Sequence, residues 1–181
     1  MRRLVALGVI VAAAVAVGAW FLLAPPEIIQ RQRYPLRYRA IVIGHARNYR
    51  LDPALLAAVI YAESKFHADA KSQSGAIGLM QLLPSTADGI ALHTGGSKFR
   101  HEDLYNPEIN VRYGAWYLRH LLDKYDDVRT ALAAYNAGQH NVDRWLASGS
   151  GIRFSETRAY VERVEDLKQT YRDVWGSQLS K

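Results

Sequence analysis

Residues 52–66 read DPALLAAVIYAESKF and residues 75–87 read GAIGLMQLLPSTA, with a short polar segment between them. Asp52 followed by Pro53 predicts a helix start. Aspartate accepts from free backbone N–H groups, and proline at the first helical position gives up a donor that would have no partner there. Leu55, Leu56, Val59 and Ile60 follow at helical spacing, and the next step along that face lands on Glu63. An ionised, unpaired carboxylate on a core-facing stripe is costly. Burial disfavours the charged form and raises the pKa, which suits a general acid working near neutral pH. Periodicity alone leaves a second reading open, in which Glu63 ends the helix paired with a cation such as Lys65 and does no chemistry.

Outward from this stretch the pattern stays helical. Leu36, Ala40, Ile43 and Ala46 predict a helix over 36–49, after a break at Tyr34-Pro35. Residues 64–75 read as a loop, 78–83 as a short buried turn or helix, and Ser85 or Thr86 as the start of a helix ending before Gly95-Gly96. Asn106-Pro107 repeats the start signal and predicts a helix to about residue 125, with Ile109, Tyr113, Trp116, His120 and Leu121 on one side. A helix over about 128–137 is expected to stop at Gly138 in a left-handed cap, and another to span 141–147. Ser155 is expected to cap a long last helix, in which Tyr160, Val164, Leu167, Tyr171 and Val174 recur at steps of three and four. No hairpin, low-complexity tract or repeat of roughly 20–50 residues stands out.

At the N-terminus, Arg2-Arg3 precede an uncharged apolar run over 4–24. As a helix this run spans ~30 Å, about the hydrocarbon thickness of a bilayer. A signal peptide cut after small residues such as Val17-Gly18-Ala19 competes with this reading. The run continues through Trp20, Phe21, Leu22 and Leu23, and its aromatics suit a membrane interface, so an uncleaved anchor is expected over 1–24. A juxtamembrane linker over 25–35, a catalytic domain over 36–176 and a tail over 177–181 complete the expected organisation. Arg31, Arg33, Arg37 and Arg39 outnumber Arg2 and Arg3, a balance that by itself orients the domain towards the cytoplasm. Long domains translocate largely regardless of such charge, and these arginines can equally face anionic headgroups, wall polymers or solvent.

The chain's 181 residues allow one domain with a real core, and its 22% charged and 49% apolar residues are those of a globular protein. The formal charge of +6 is concentrated before residue 40, which leaves the remainder nearly neutral and argues against nucleic-acid binding. The absence of cysteine excludes disulfides, a thiol nucleophile and a lipidated N-terminal cysteine. No two of the six histidines fall in a His-Glu-x-x-His pattern, and His120 reads as a packing residue, so neither metal nor cofactor is expected. There is no Gly-x-Ser-x-Gly elbow, phosphate loop or calcium loop. Carboxylate chemistry remains. Ordinary glycosidases use two carboxylates, but only Asp69 lies near Glu63 in sequence, while Glu156 is distant.

Three stretches, in order, resemble the signature of the soluble-lytic-transglycosylase family. They are Glu63-Ser64-x-Phe66 with Ala70-x-Ser72-x-x-Gly75-Ala76-x-Gly78-Leu79-Met80-Gln81-x-x-Pro84-x-Thr86-Ala87, then Ala134-Tyr135-Asn136-Ala137-Gly138, then Glu156-Thr157-x-x-Tyr160. The resemblance covers about 36–175 and implies a mainly α fold (α+β, lysozyme-like) with a catalytic cleft. It also implies cleavage of the MurNAc-β-1,4-GlcNAc bond of peptidoglycan strands. In that family one acid protonates the glycosidic oxygen, then acts as a base while the sugar's C6 hydroxyl closes onto C1. The product is a 1,6-anhydroMurNAc end, and by resemblance Glu63 takes both roles. Ser72, Met80, Gln81, Tyr135, Asn136 and Tyr160 match substrate-contacting positions, with Tyr135 also suited to orienting the carboxylate. Glu156 is expected to act through its neighbours.

Each of these residues also has an ordinary reading. Ser72 can be a loop cap and Met80 core packing, Tyr135 and Tyr160 can be structural, and Glu156 can satisfy helix N–H groups. Two rival functions stay open: a hydrolytic muramidase using Asp69 or Glu156 as second carboxylate, and a non-catalytic, membrane-tethered peptidoglycan-binding protein. The resemblance implies a monomer acting on glycan strands from the outer side of the cytoplasmic membrane, beside cell-wall synthesis or secretion machinery.

Overall fold

The computed structural model describes residues 8, 10–13, 15, 18–20 and 27–180. The chain forms two compact units, Met1–Pro35 and Leu36–Lys181. In the first, the stretch expected to be linker contains a helix, α1 (Glu27–Arg33), with an ion pair between Arg31 and Glu27 one turn apart. The expected anchor over 1–24 falls largely outside the described residues. Among the described residues no helix is long and apolar enough to cross a membrane.

The second unit is built from α2 (Arg39–Asn48), α3 (Pro53–Ser64), α4 (Pro84–Thr94), α5 (Pro107–Tyr125), α6 (Val128–Ala137), α7 (Gln139–Ala147) and α8 (Ser155–Leu179). A 3-10 turn, His101–Tyr105, leads into α5. At its centre lies α3. Ala54, Leu55, Leu56, Ala57, Ala58, Val59 and Ile60 are all buried. Seven successive residues visit every face of a helix, so α3 is enclosed all round, and the apolar stripe read from its sequence is only part of a wholly buried cylinder. It packs most extensively against α8. There Tyr160, Val164, Leu167, Tyr171 and Val174 are buried, as the three-and-four spacing requires. Each large aliphatic side chain removed from water in this way contributes about 1.5–3 kcal/mol.

The start signals operate as local chemistry predicts. Asp52 Oδ1 accepts from Ala54 N at 2.9 Å, and Asn106 Oδ1 accepts from Glu108 N at 2.9 Å. Asp127 Oδ2 accepts from Thr130 N at 2.7 Å and opens α6. Three expectations are corrected. Helix α2 starts at Arg39 and not at residue 36, because Tyr38 takes a left-handed conformation with φ 53°. Gly138 has φ 85° and ψ 145°, outside the left-handed helical region; it ends α6 and starts α7 in a single residue. Only glycine enters that region freely. Phe154, in extended conformation, stands at the cap position of α8, and Ser155 is its first helical residue, with no capping bond from the side chain.

The β content is rudimentary. Among the described residues, Ile77 forms isolated antiparallel bridges to Lys71 and Leu82. The 64–84 segment therefore holds its shape chiefly through turns and side chains. Asn110, fully buried on α5, is the main tie: its Oδ1 accepts from Met80 N at 2.8 Å, and its Nδ2 donates to Ile77 O at 2.9 Å and Leu104 O at 2.8 Å. Gly78, at φ +81°, lies so close that a Cβ there would sit 2.2 Å from Asn110 Nδ2 and 2.4 Å from Leu104 O.

Candidate active site

The last turn of α3 delivers Glu63, and the chain then reverses sharply. Lys65 and Phe66 both have positive φ, 52° and 63°. Such backbone at non-glycine residues costs on the order of 1–3 kcal/mol each and persists only where the surroundings over-determine it. Here Phe66 is fully buried against Tyr171, with ring centroids 6.2 Å apart. Ser64 Oγ donates to Leu79 O at 2.8 Å and ties the helix end to the 77–82 turn.

Glu63 is half-buried, and Tyr160 OH donates to its Oε1 at 2.6 Å. Among the described residues it forms no ion pair; Lys65, the cation weighed as its partner, is exposed at the left-handed end of α3. Burial pushes the Glu63 carboxyl from 4.5 up to about 7, against the downward pull of the Tyr160 hydrogen bond and the Arg163 charge. Burial, reinforced by the Glu63 charge, holds the Tyr135 and Tyr160 hydroxyls well above the usual phenol range, so both remain protonated donors. The arrangement is a carboxyl poised between its two protonation states at neutral pH, with one fixed donor and open space in front. That is the equipment of an acid that must also serve as a base.

Two cavities meet at Glu63 and Gln81. One, of about 400 Å³, is lined also by Ser72, Thr86, Tyr117, Tyr135, Asn136, Gly138 and Glu156. The other, of about 550 Å³, is lined by Lys65, His67, Asp69 and Lys71 among others. Ser72 Oγ accepts from Ala76 N at 3.0 Å and bonds Ser74 Oγ at 2.9 Å, so it caps its loop and lines the cleft together. Gln81, at φ 46°, donates through Nε2 to Gly78 O at 2.9 Å and Ala70 O at 3.2 Å, which fixes its side chain at the cavity junction. Asn136 Oδ1 accepts from Thr157 Oγ1 at 2.9 Å, leaving its NH2 group as the donor on the cleft wall.

Three candidate residues stand differently from their expected contacts. Met80 does not reach the cleft: its side chain is fully buried, and a Cβ added at Gly114 would lie 2.3 Å from its Sδ. What Met80 offers the site is its backbone, whose carbonyl accepts from Tyr135 OH at 2.8 Å. Tyr135 therefore spends its hydroxyl on Met80 and not on the carboxylate. Tyr160, expected to contact substrate, is 2% exposed and reaches Glu63 instead. Glu156 is exposed on the cleft wall, and Asp69 on the adjoining cavity; neither hydrogen-bonds Glu63 among the described residues.

With this geometry in place, comparison with known proteins is informative. Residues 40–156 match the family described as Transglycosylase SLT domain. The chain belongs to that family. It is similar to the soluble lytic murein transglycosylase of Salmonella typhimurium, 32% identical over 157 residues, which cover 80% of this chain and 24% of that protein. The transglycosylase of Enterobacteria phage PRD1 is 40% identical over 117 residues, 65% of this chain and 37% of that protein. Membrane-bound lytic murein transglycosylase C of Histophilus somni is 33% identical over 145 residues, 74% of this chain and 40% of that protein. The SLT-domain chain spans about a quarter of the length of its soluble curated relatives. The 70 kDa soluble lytic transglycosylase of Escherichia coli, 29% identical, superposes with a TM-score of 0.76 over 83% of this chain and 26% of its own. The same enzyme in complex with bulgecin A gives 0.76 at 30% identity. The mainly helical, lysozyme-like SLT fold expected from the sequence is thus the fold this chain has.

Within this SLT domain, several residues of the site lie outside the reading of the sequence. Asn110 and Thr157 position Met80 and Asn136, and Tyr117, its hydroxyl raised by burial, packs its ring 5.6 Å from Tyr135 on the cleft wall. Thr157 falls inside a quoted motif, yet nothing in its spacing names Asn136 as its partner. Asn110, a polar residue among the apolar positions of α5, carried the one available signal, since a buried amide requires partners.

Proposed function

We propose that this chain is a peptidoglycan lytic transglycosylase, cutting the MurNAc-β-1,4-GlcNAc bond and leaving 1,6-anhydroMurNAc ends. The observation that carries the reading is the half-buried carboxyl of Glu63, raised to about 7 and hydrogen-bonded to Tyr160, at the meeting of two cavities. Below that pH Glu63 is protonated and donates to the glycosidic oxygen as the bond from C1 breaks. The resulting carboxylate then accepts the proton of the same sugar's C6 hydroxyl, whose oxygen bonds C1. Glu63 ends protonated again, and no water is consumed. Tyr160 holds the carboxyl's orientation in both states. Ser72, Gln81, Tyr135 and Asn136 are assigned to substrate contact along the cleft, Met80 to positioning Tyr135 through its carbonyl, and Glu156 to the cleft wall.

We assign residues 36–176 as the catalytic domain, 1–24 as a membrane anchor, 25–35 as a linker and 177–181 as a tail. The domain acts as a monomer on the outer side of the cytoplasmic membrane, where the glycan strands lie. Support for the anchor is the uncharged run over 4–24 and the likeness to a membrane-bound transglycosylase. Full protection of the domain from protease added to spheroplasts would reverse this topology.

Mass spectrometry of soluble products from purified peptidoglycan tests the activity. Anhydromuropeptides are expected from the wild-type chain and none from Glu63→Gln. Reducing ends would mean hydrolysis, with Asp69 or Glu156 as second carboxylate. Binding of glycan without any product would mean a non-catalytic protein.

A further inference from the structure

We infer that a pocket beside the cleft, between α4 and α5, receives the acidic peptide stem of the bound strand, a proposal that rests on the peptidoglycan reading above. The pocket, of about 290 Å³, is lined by Ser85, Thr86 and His93 from α4, Trp116 and His120 from α5, and Gln139 at the start of α7. It shares Thr86 and Tyr117 with the wall of the catalytic cleft, so the two spaces are neighbours.

Charge separates the two spaces. The cleft carries Glu63 and Glu156, and the cavity beyond Glu63 carries Asp69. Among the described residues, no carboxylate lines the α4–α5 pocket. Its polar groups can all donate: the Ser85 and Thr86 hydroxyls, the His120 imidazole, and the NH2 group of Gln139, which is shared with the Tyr117 hydroxyl while its Oε1 accepts from Lys124 Nζ at 3.1 Å. The Lys124 charge is itself balanced by Asp143 at 2.8 Å.

Shape argues against a sugar as occupant. His120 stacks on Trp116 with an interplanar angle of 2° and centroids 5.4 Å apart, and His93 leans on the same indole at 5.7 Å. The His93 ring is itself fixed through Nδ1 on Gly89 O at 2.8 Å. The His120 ring thus occupies an indole face that a pyranose would need for stacking. What remains is an aromatic-walled slot with hydroxyl, imidazole and amide groups and no carboxylate among its described lining residues, which fits a short chain of aliphatic groups, amide carbonyls and carboxylates. A peptide stem has that chemistry and hangs from the muramoyl sugar beside the bond that is cut. A stem on a sugar held in the cleft has this side pocket within reach.

The test uses the full chain in detergent, with histidine imidazoles isotopically labelled for NMR. A free acidic stem tetrapeptide lacking sugar is titrated in, and saturable movement of the His120 signals is expected. In parallel, His120→Ala is assayed on intact peptidoglycan and on glycan strands stripped of stems by an amidase. Loss of one hydrogen bond predicts a KM raised about 5-fold on the stem-bearing substrate, with kcat and stem-free cleavage unchanged, and partial rescue by His120→Gln. Equal losses on both substrates, or no movement of His120 with the tetrapeptide, would overturn the stem site. Should the wild-type chain cleave neither substrate while the tetrapeptide still moves His120, the stem site stands and the proposed activity falls.

Discussion

Replacing Glu63 by glutamine removes a half-buried titratable group while keeping its shape and its capacity to accept from Tyr160 OH. In the folded wild type the carboxyl titrates at about 7, against 4.5 for the same group in solvent. Between those two values the folded chain holds a proton that the unfolded chain has released, so stability falls as pH rises through this window. Below it, wild type and variant are matched; above it, the wild type carries the full penalty of an ionised carboxylate in a poorly solvated place. The gap between 4.5 and about 7 corresponds to ~3 kcal/mol of stability. For a chain of this size that is a melting-temperature difference of roughly 6–12 °C. Thermal unfolding followed by near-UV circular dichroism, on both proteins from pH 4 to pH 8.5, measures it. Other groups titrate in both proteins and cancel in the difference. The expected result is coincident melting near pH 4 and a more stable Glu63→Gln above pH 7. A constant difference at every pH would trace the effect to packing, and no difference at any pH would mean that Glu63 titrates as an ordinary carboxylate. Either result refutes the poised acid.

Two further outcomes follow from single side chains. Tyr160→Phe deletes a bond that favours the charged form of Glu63, so the carboxyl moves above about 7. The alkaline limb of the pH–rate profile should shift to higher pH while kcat falls ~10-fold; an unmoved limb would mean the bond does not act on the acid. Asn110→Ala strips partners from Met80 N, Ile77 O and Leu104 O, all inside the core. A loss of ~3 kcal/mol or more is expected in urea unfolding, and under 1 kcal/mol would show that the 77–82 turn re-satisfies those groups by other means.

The sequence by itself determined the helices and singled out Glu63 as the candidate acid. Asp52-Pro53, Asn106-Pro107 and the apolar spacing of α8 act over a few residues, so they can be read without knowing what packs where. Motifs in order pointed to the family. Where caps depend on backbone conformation instead of side-chain chemistry, as at Tyr38, Gly138 and Phe154, the reading shifted by a few residues or mistook the geometry.

Only the tertiary structure decided who holds whom. Tyr160, 97 positions from Glu63, supplies its hydrogen bond, Tyr135 spends its hydroxyl on the Met80 carbonyl, and Met80 itself is sealed against Gly114. The partial burial that raises the Glu63 carboxyl, at the end of a helix enclosed over 54–60, is likewise a product of helices far apart in the chain. Periodicity records which face of a helix is apolar. It cannot record which neighbour covers that face, because desolvation and hydrogen bonding are set by atoms that sequence distance does not rank.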